Sequence, residues 1–159
     1  MIDVFLLLGS NLGDRGAFLH KAIGLIEKEL GSVVQKSSVY ETEAWGKTDE
    51  PNYLNQVVQV NTELSARTVL QKVLQIETKL GRVREEKWGS RIIDIDILFY
   101  GQNIINEPGL IVPHPELHNR RFTLTPLSEI APDLQHPKLK KSIFRLKSEL
   151  KDNLIVKKL

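Results

Sequence analysis

At 159 residues, with a net charge of +2 and no cysteine, the chain can bury one proper core but carries too little charge to indicate a nucleic-acid partner. The missing cysteines exclude disulfides and thiolate metal sites, and the charged fraction of 26% is that of an ordinary soluble globular protein. The opening MIDVFLLLG is apolar but short, carries Asp3 and lacks a basic leader, so it predicts a first strand rather than a signal peptide. No later apolar run approaches the roughly 20 residues of a membrane span. The expectation is a single domain over residues 1–159, cytoplasmic, without repeats and without membrane or nucleic-acid partners.

Ile2 to Leu8 reads as a buried strand that ends in the turn-rich GSNLGDR. Phe18, Leu19, Ala22, Ile23, Ile26 and Leu30 recur at helical spacing, and Gly31 supplies the stop. Val33 to Tyr40 predicts a second strand, followed by a loop of mixed polarity, ETEAWGKTDEPNYLN. Leu54 to Leu64 alternates as a third strand. Ser65 can cap a second helix whose apolar stripe is Ala66, Val69, Val73, Ile76 and Leu80, with Gly81 closing it. A second loop, GRVREEKWGSR, leads to IIDIDILFY. The order β-α-β-β-α-β predicts an α+β fold: a ferredoxin-like two-layer sandwich with a mainly antiparallel sheet. Beyond it come a hairpin-like excursion around Gly101, a Pro-punctuated loop, a short helix over Thr125 to Ile130, and an amphipathic tail helix carrying Ile143, Leu146 and Leu150.

Asp94 and Asp96 are the anomaly in this pattern. Two positions apart on a strand, they point the same way about 7 Å apart, while Ile93, Ile95, Ile97 and Phe99 are expected on the opposite, core face. Two carboxylates on an apolar strand need something to offset their repulsion and desolvation. One solution leaves one acid in water and pairs the other with an arginine. Another is a hard divalent cation such as Mg²⁺, which prefers carboxylate oxygens and shares its remaining positions with water and substrate phosphates.

Arg82, Arg84 and Arg91 precede the pair, and Arg120 and Arg121 follow it. Guanidinium groups match phosphate oxygens bidentately, which suits a polyphosphate. His114 stands between two prolines that stiffen its loop. No G-x-x-x-x-G-K-[ST] loop is present, so arginines and Mg²⁺ would have to do its work. Trp45, Tyr53, Trp88 and Phe122 fall on or beside loops. Each can be a core anchor, or two of them can clamp a flat heterocycle with Asn55 supplying directional hydrogen bonds.

LGSNLGDR, PNYLNQVV, IETKLGRVREEKWGSRIIDIDIL and VPHPELHNRRFTLTPLSEIAP together resemble the 6-hydroxymethyl-7,8-dihydropterin pyrophosphokinases of folate biosynthesis, almost from end to end. The resemblance implies transfer of an intact pyrophosphoryl group from ATP, with two Mg²⁺ ions, to the hydroxymethyl group of the pterin, releasing AMP. It implies that Asp94 and Asp96 ligate the metals, with Asp94 also meeting the pterin. Arg82 and Arg91 would meet the triphosphate, with Arg84, Trp88 and His114 closing over ATP. Leu70 and Ile97 would line the adenine pocket, and Glu77 matches an ATP-site position without an evident task. Arg120 would assist at the β-phosphate end. Tyr53 and Phe122 would sandwich the pterin, and Thr42 and Asn55 would read its edge. Loops 43–52 and 81–91 would act as lids, with Gly46, Gly81 and Gly89 as points of backbone movement. Glu85, Glu86, Pro115 and Trp45 depart from the family's commoner residues without removing any group needed for transfer. A monomer is the expected state.

Two rival readings share the fold or the acids. An RNA-recognition domain would need a basic residue followed by G-F/Y-G/A-F-V-x-F/Y, which is not found, and the acids would repel phosphate. A metal-dependent nucleotidyltransferase or nuclease would use the same D-x-D logic but release different products.

Overall fold

The computed structural model describes residues 1–43, 52–82, 92–152 and 154–159. Five strands of one sheet come from the predicted core. They are β1 (Ile2–Ser10), β2 (Gly31–Lys36), β3 (Tyr40–Thr42), β4 (Tyr53–Thr62) and β5 (Asp94–Tyr100). The sheet runs β5-β1-β4, with β2 and β3 both pairing with the far edge of β4, and every described pairing is antiparallel. That order is the ferredoxin-like one, and the α+β expectation holds. The strand predicted over Val33 to Tyr40 is split in two at Ser37, whose N–H still donates to the Val57 carbonyl while its hydroxyl, in place of its carbonyl, accepts the Val57 N–H.

Helices α1 (Arg15–Glu29) and α2 (Ala66–Lys79) cover one face of the sheet. Both begin on side-chain caps. Asp14 accepts the Ala17 N–H and Ser65 the Thr68 N–H, each filling one of the donors a helix start leaves orphaned. Leu19, Ala22, Ile26, Val69, Val73 and Ile76 pack from these helices onto Val4, Leu6, Leu8, Val58, Val60, Ile95 and Ile97. Each large side chain so buried contributes about 1.5–3 kcal/mol.

The opposite face carries a second cluster that the two-helix pattern did not reveal. Helix α3 (Arg121–Ile130) and helix α4 (Ile143–Ser148) bring Leu124, Leu127, Ile143 and Leu146 onto Phe5, Leu7, Val57, Leu98 and Phe99. Helix α3 starts four residues before the expected Thr125, and α4 is one short piece of the tail. Phe99 belongs to this second cluster, not to the face of Ile95 and Ile97. Phe5 pairs with Phe99 while Leu6 pairs with Ile97, so Leu98 is an extra residue and the alternation slips there. Phe99 then meets Phe5 edge-on, with ring centroids 6.2 Å apart.

Strands β6 (Ile105–Glu107) and β7 (Leu110–Val112) form a separate hairpin turning at Gly109. The chain ends in a strand that the sequence did not predict, β8 (Val156–Lys158), paired with β3. No helix among the described residues is long and apolar enough to cross a membrane.

Candidate active site

The register of the sheet assembles the site. On the face that carries the second cluster, Phe5 and Leu7 of β1 are apolar, but the next residue on that side is Gly9. Gly9 pairs with Asp94 on one neighbour and with Asn55 on the other, and opposite partners share a face. Asp94, Gly9 and Asn55 thus form one row across three strands, with the two polar side chains roughly 10 Å apart over two strand spacings. Tyr40 extends the same row, and Thr42 opposite Tyr53 forms its neighbour. Asp96 lies one row inward, opposite Leu7. The two acids, Asn55, Tyr53 and Thr42 therefore occupy one face at one end of the sheet.

Glycine is required in the centre of that row. A Cβ at position 9 would stand 2.9 Å from Asn55 Nδ2, so any larger residue displaces the amide. Asn55 is buried, and its amide donates to the Leu8 carbonyl at 3.5 Å. Thr42 is buried with no hydrogen-bond partner for its hydroxyl among the described residues, an unmet donor and acceptor on the same face.

Asp94 has an arginine partner. Arg82 Nη1 lies 2.8 Å from Asp94 Oδ1 and 2.7 Å from Glu77 Oε2. The same Glu77 oxygen accepts the Ile95 N–H at 2.7 Å. Glu77 is thus a buried clamp between α2 and β5 that holds Arg82 against the acid row, which answers what occupies this position. Arg82 also offsets part of the carboxylate repulsion. Both aspartates are half-buried.

His114 follows a cis Val112–Pro113 bond, and its N–H donates to the Leu98 carbonyl, which pins its loop to β5. Its Nδ1 accepts the Glu116 N–H at 3.1 Å, so the neutral ring carries its proton on Nε2. Burial holds the imidazole below its ordinary value. The Arg120 charge adds to that, while Glu116 and Asp94 oppose it. The Arg120 guanidinium lies 5.6 Å from the centre of the Phe122 ring, a cation–π contact joining a predicted phosphate residue to a predicted stacking residue. Leu70 and Ile97 pack in the first cluster, on the other face from the acids. The two faces meet at the edge of β5, the outermost strand on that side among the described residues.

Arg84, Trp88 and Arg91, with Trp45, Gly46, Glu85, Glu86 and Gly89, lie outside the described residues. Sequence reasoning gave no task to Gly9 or Arg15, although both stand in LGSNLGDR. Arg15 Nη1 contacts Glu41 Oε2 at 3.0 Å and the Asn52 carbonyl at 2.8 Å, tying together the chain before and after residues 44–51. Its sequence signal was the motif alone.

Comparison with known proteins gives the family and the shared fold. Residues 5–132 match the family described as 7,8-dihydro-6-hydroxymethylpterin-pyrophosphokinase (HPPK). A 2-amino-4-hydroxy-6-hydroxymethyldihydropteridine pyrophosphokinase of Aquifex aeolicus is 42% identical over 94% of this chain and 92% of its own length. The protein of that name from Haemophilus influenzae is 39% identical over 99% and 98%. The one from Methylorubrum extorquens is 44% identical over 84% and 85%. Among solved structures, wild-type Plasmodium falciparum HPPK-DHPS superposes with a TM-score of 0.75 at 19% identity, which shows the shared fold. The alignment covers 93% of this chain and 44% of that longer one.

Proposed function

The chain belongs to the 7,8-dihydro-6-hydroxymethylpterin-pyrophosphokinase family, and on that premise we propose that it transfers pyrophosphate from ATP to the hydroxymethyl group of 6-hydroxymethyl-7,8-dihydropterin. The enzyme is a diphosphokinase of folate synthesis. The observation that carries the reading to this site is the row Asp94–Gly9–Asn55. It sets a carboxylate and a buried amide about two strands apart, a span that suits a pterin between Asn55 and the acids.

The donor set fits Mg²⁺. Asp94 and Asp96 offer only hard oxygens on one strand face. No group of three or more acids, histidines or cysteines that could cage a metal is found among the described residues. Such a site suits an ion that keeps waters and takes phosphate oxygens. In the reading, Asp94 and Asp96 hold two Mg²⁺ ions, which supply charge neutralisation to the triphosphate.

This chain's residues then have distinct tasks. The hydroxymethyl group gives its proton to Asp94 or water as its oxygen attacks the β-phosphorus, the bond from that phosphorus to the α–β bridging oxygen breaks, and AMP departs with the electron pair. Arg82, held by Glu77, and Arg91 face the charge that develops on the bridge, and fixed cations there cost no reorganisation during transfer. Arg120 serves the β-phosphate end, while His114, with Nε2–H as donor, serves ATP together with Arg84 and Trp88. Tyr53 and Phe122 stack the pterin. The Thr42 hydroxyl and the Asn55 amide read its edge, which would satisfy the unmet Thr42 oxygen. Leu70 and Ile97 receive adenine at the edge of β5. The lids over 43–52 and 81–91 exclude water from the transfer.

The reading includes one domain over residues 1–159, in keeping with relatives that this chain covers almost completely. It also includes a monomer acting in the cytoplasm without nucleic-acid or membrane partners. Incubation with MgATP and hydroxymethyl-dihydropterin tests the function. AMP and pterin pyrophosphate should appear in step, whereas ADP or free pyrophosphate as the nucleotide-derived product would overturn it.

A further inference from the structure

The end of the chain lies far in sequence from the proposed pterin pocket but touches both of its walls. Helix α3 carries Phe122 in its first turn, and no side chain of the preceding residue caps it. The cap comes from 31 residues downstream. Asp152 Oδ2 accepts the Arg121 N–H at 3.0 Å, and the Asp152 carbonyl accepts Arg121 Nε–H at 3.1 Å. Asp152 Oδ1 accepts the Leu154 N–H at 2.8 Å, which turns the chain toward β8. Strand β8 then pairs with β3, setting Val156 opposite Thr42. Leu159 adds a last bond to the Val39 carbonyl.

The other end of α3 has its own attachment to the same region. Glu129 accepts from the Tyr40 hydroxyl and the Ser38 hydroxyl at 2.8 Å, and from the Ser38 N–H at 3.0 Å. Helix α3 is thus fixed to β3 and its approach at two points. Glu129 sits near the end of the helix remote from Phe122, and Asp152 sits beside Phe122.

We propose that Asp152 and β8 form a tie that sets the distance between the Phe122 and Thr42 walls, making Asp152 a positioning residue for the pterin. This rests on the pterin pocket proposed above. A carboxylate on a helix N–H is a charge-assisted bond at the positive helix end, so it holds the first turn better than water would. ATP lies on the β5 side in the same reading, and the tie should not alter its binding.

The test compares Asp152→Ala, Asp152→Asn and Glu129→Gln by pterin dissociation constant, ATP-analogue dissociation constant, kcat and thermal midpoint. Asp152→Ala should weaken pterin binding about tenfold with ATP-analogue affinity within about twofold, because small misplacements of binding walls are expensive. Asp152→Asn keeps one acceptor oxygen and should fall between. Glu129→Gln should lose stability but keep pterin affinity. Unchanged pterin affinity in Asp152→Ala, or loss in all three variants in proportion to stability, overturns the tie. Tyr53→Ala and Phe122→Ala separate this failure from that of the pocket. If neither weakens pterin binding, the pocket assignment has failed and the tie falls with it.

Discussion

Glu77 Oε2 lies 2.7 Å from Arg82 Nη1 at a carboxylate only 2% exposed. A buried carboxylate of this kind is tolerated because both a cation and the Ile95 N–H satisfy it. Removing one partner of such a pair leaves the other charge buried and unpaired. Glu77→Ala is therefore expected to lose about 3–5 kcal/mol of unfolding free energy. Glu77→Gln keeps an acceptor for Ile95 and should lose less, while raising the KM for ATP because Arg82 loses its buried ion-pair partner and keeps Asp94. Urea denaturation beside steady-state kinetics checks this, and an unaltered ATP KM in a folded Glu77→Gln would remove the positioning role.

The acid pair makes a sharper prediction about activity. Asp94→Asn and Asp96→Asn preserve shape but remove charge, so both should fold. Each is expected to lower kcat by about 10²–10³-fold, the usual scale for deleting one electrostatic element at a reacting centre. The Mg²⁺ concentration giving half-maximal rate should rise as well. Because Arg82 remains held by Glu77, Asp94→Asn should not release it. Wild-type Mg²⁺ dependence in either variant would dissociate the carboxylates from the metal.

Local patterns were legible in the sequence and long-range register was not. The helical stripes, the Ser65 cap and the alternation of Asp94 and Asp96 with Ile95 and Ile97 depend on neighbours a few residues away, and they read correctly. The slip at Leu98 depends on how β5 meets β1, so Phe99 was assigned to the wrong face. The row joining Asp94 to Asn55 through Gly9 depends on two pairings at once. Motif spacing could supply its members but not their alignment. Glu77 matched an ATP-site position without an evident task, since the Ile95 N–H that it accepts lies 18 residues away. Strand β8 is three residues with two lysines, a composition that describes a solvated edge as readily as a strand.

Acid stability should depend on a histidine outside the site. Burial, assisted by the charges of His118 and Lys138, lowers His136 to about 4. The neutral ring accepts N–H bonds from Lys138 at 3.2 Å and Leu139 at 3.0 Å. In the unfolded chain the group titrates near 6.5, so the unfolded state takes up its proton first as pH falls. The stabilisation is complete above about 6.5 and is lost progressively toward pH 4, in total on the order of 3 kcal/mol. Denaturant unfolding at pH 7 and pH 4.5 should show this decline in the parent protein and a flatter one in His136→Asn. Equal declines would assign the pH dependence to other groups.

Gly9 provides the most selective test of the site's geometry. Alanine there places its Cβ 2.9 Å from Asn55 Nδ2 and 3.8 Å from Tyr53 Cδ1, with the Leu54 carbonyl 3.9 Å away. The first contact forces the amide to move, whereas the other two are ordinary van der Waals distances. Gly9→Ala should therefore weaken pterin binding about tenfold, the cost of losing well-aligned hydrogen bonds to a buried polar edge. ATP affinity should change little, since Asn55 and Tyr53 lie on the β4 side of the row. Gly24→Ala is the matched control. Position 24 lies within α1 and has nothing within 4 Å of an added Cβ, so alanine should stabilise by about 0.5–1 kcal/mol and leave both affinities alone. A Gly9→Ala enzyme that binds pterin as the parent does would mean that Asn55 does not read the pterin edge from this row.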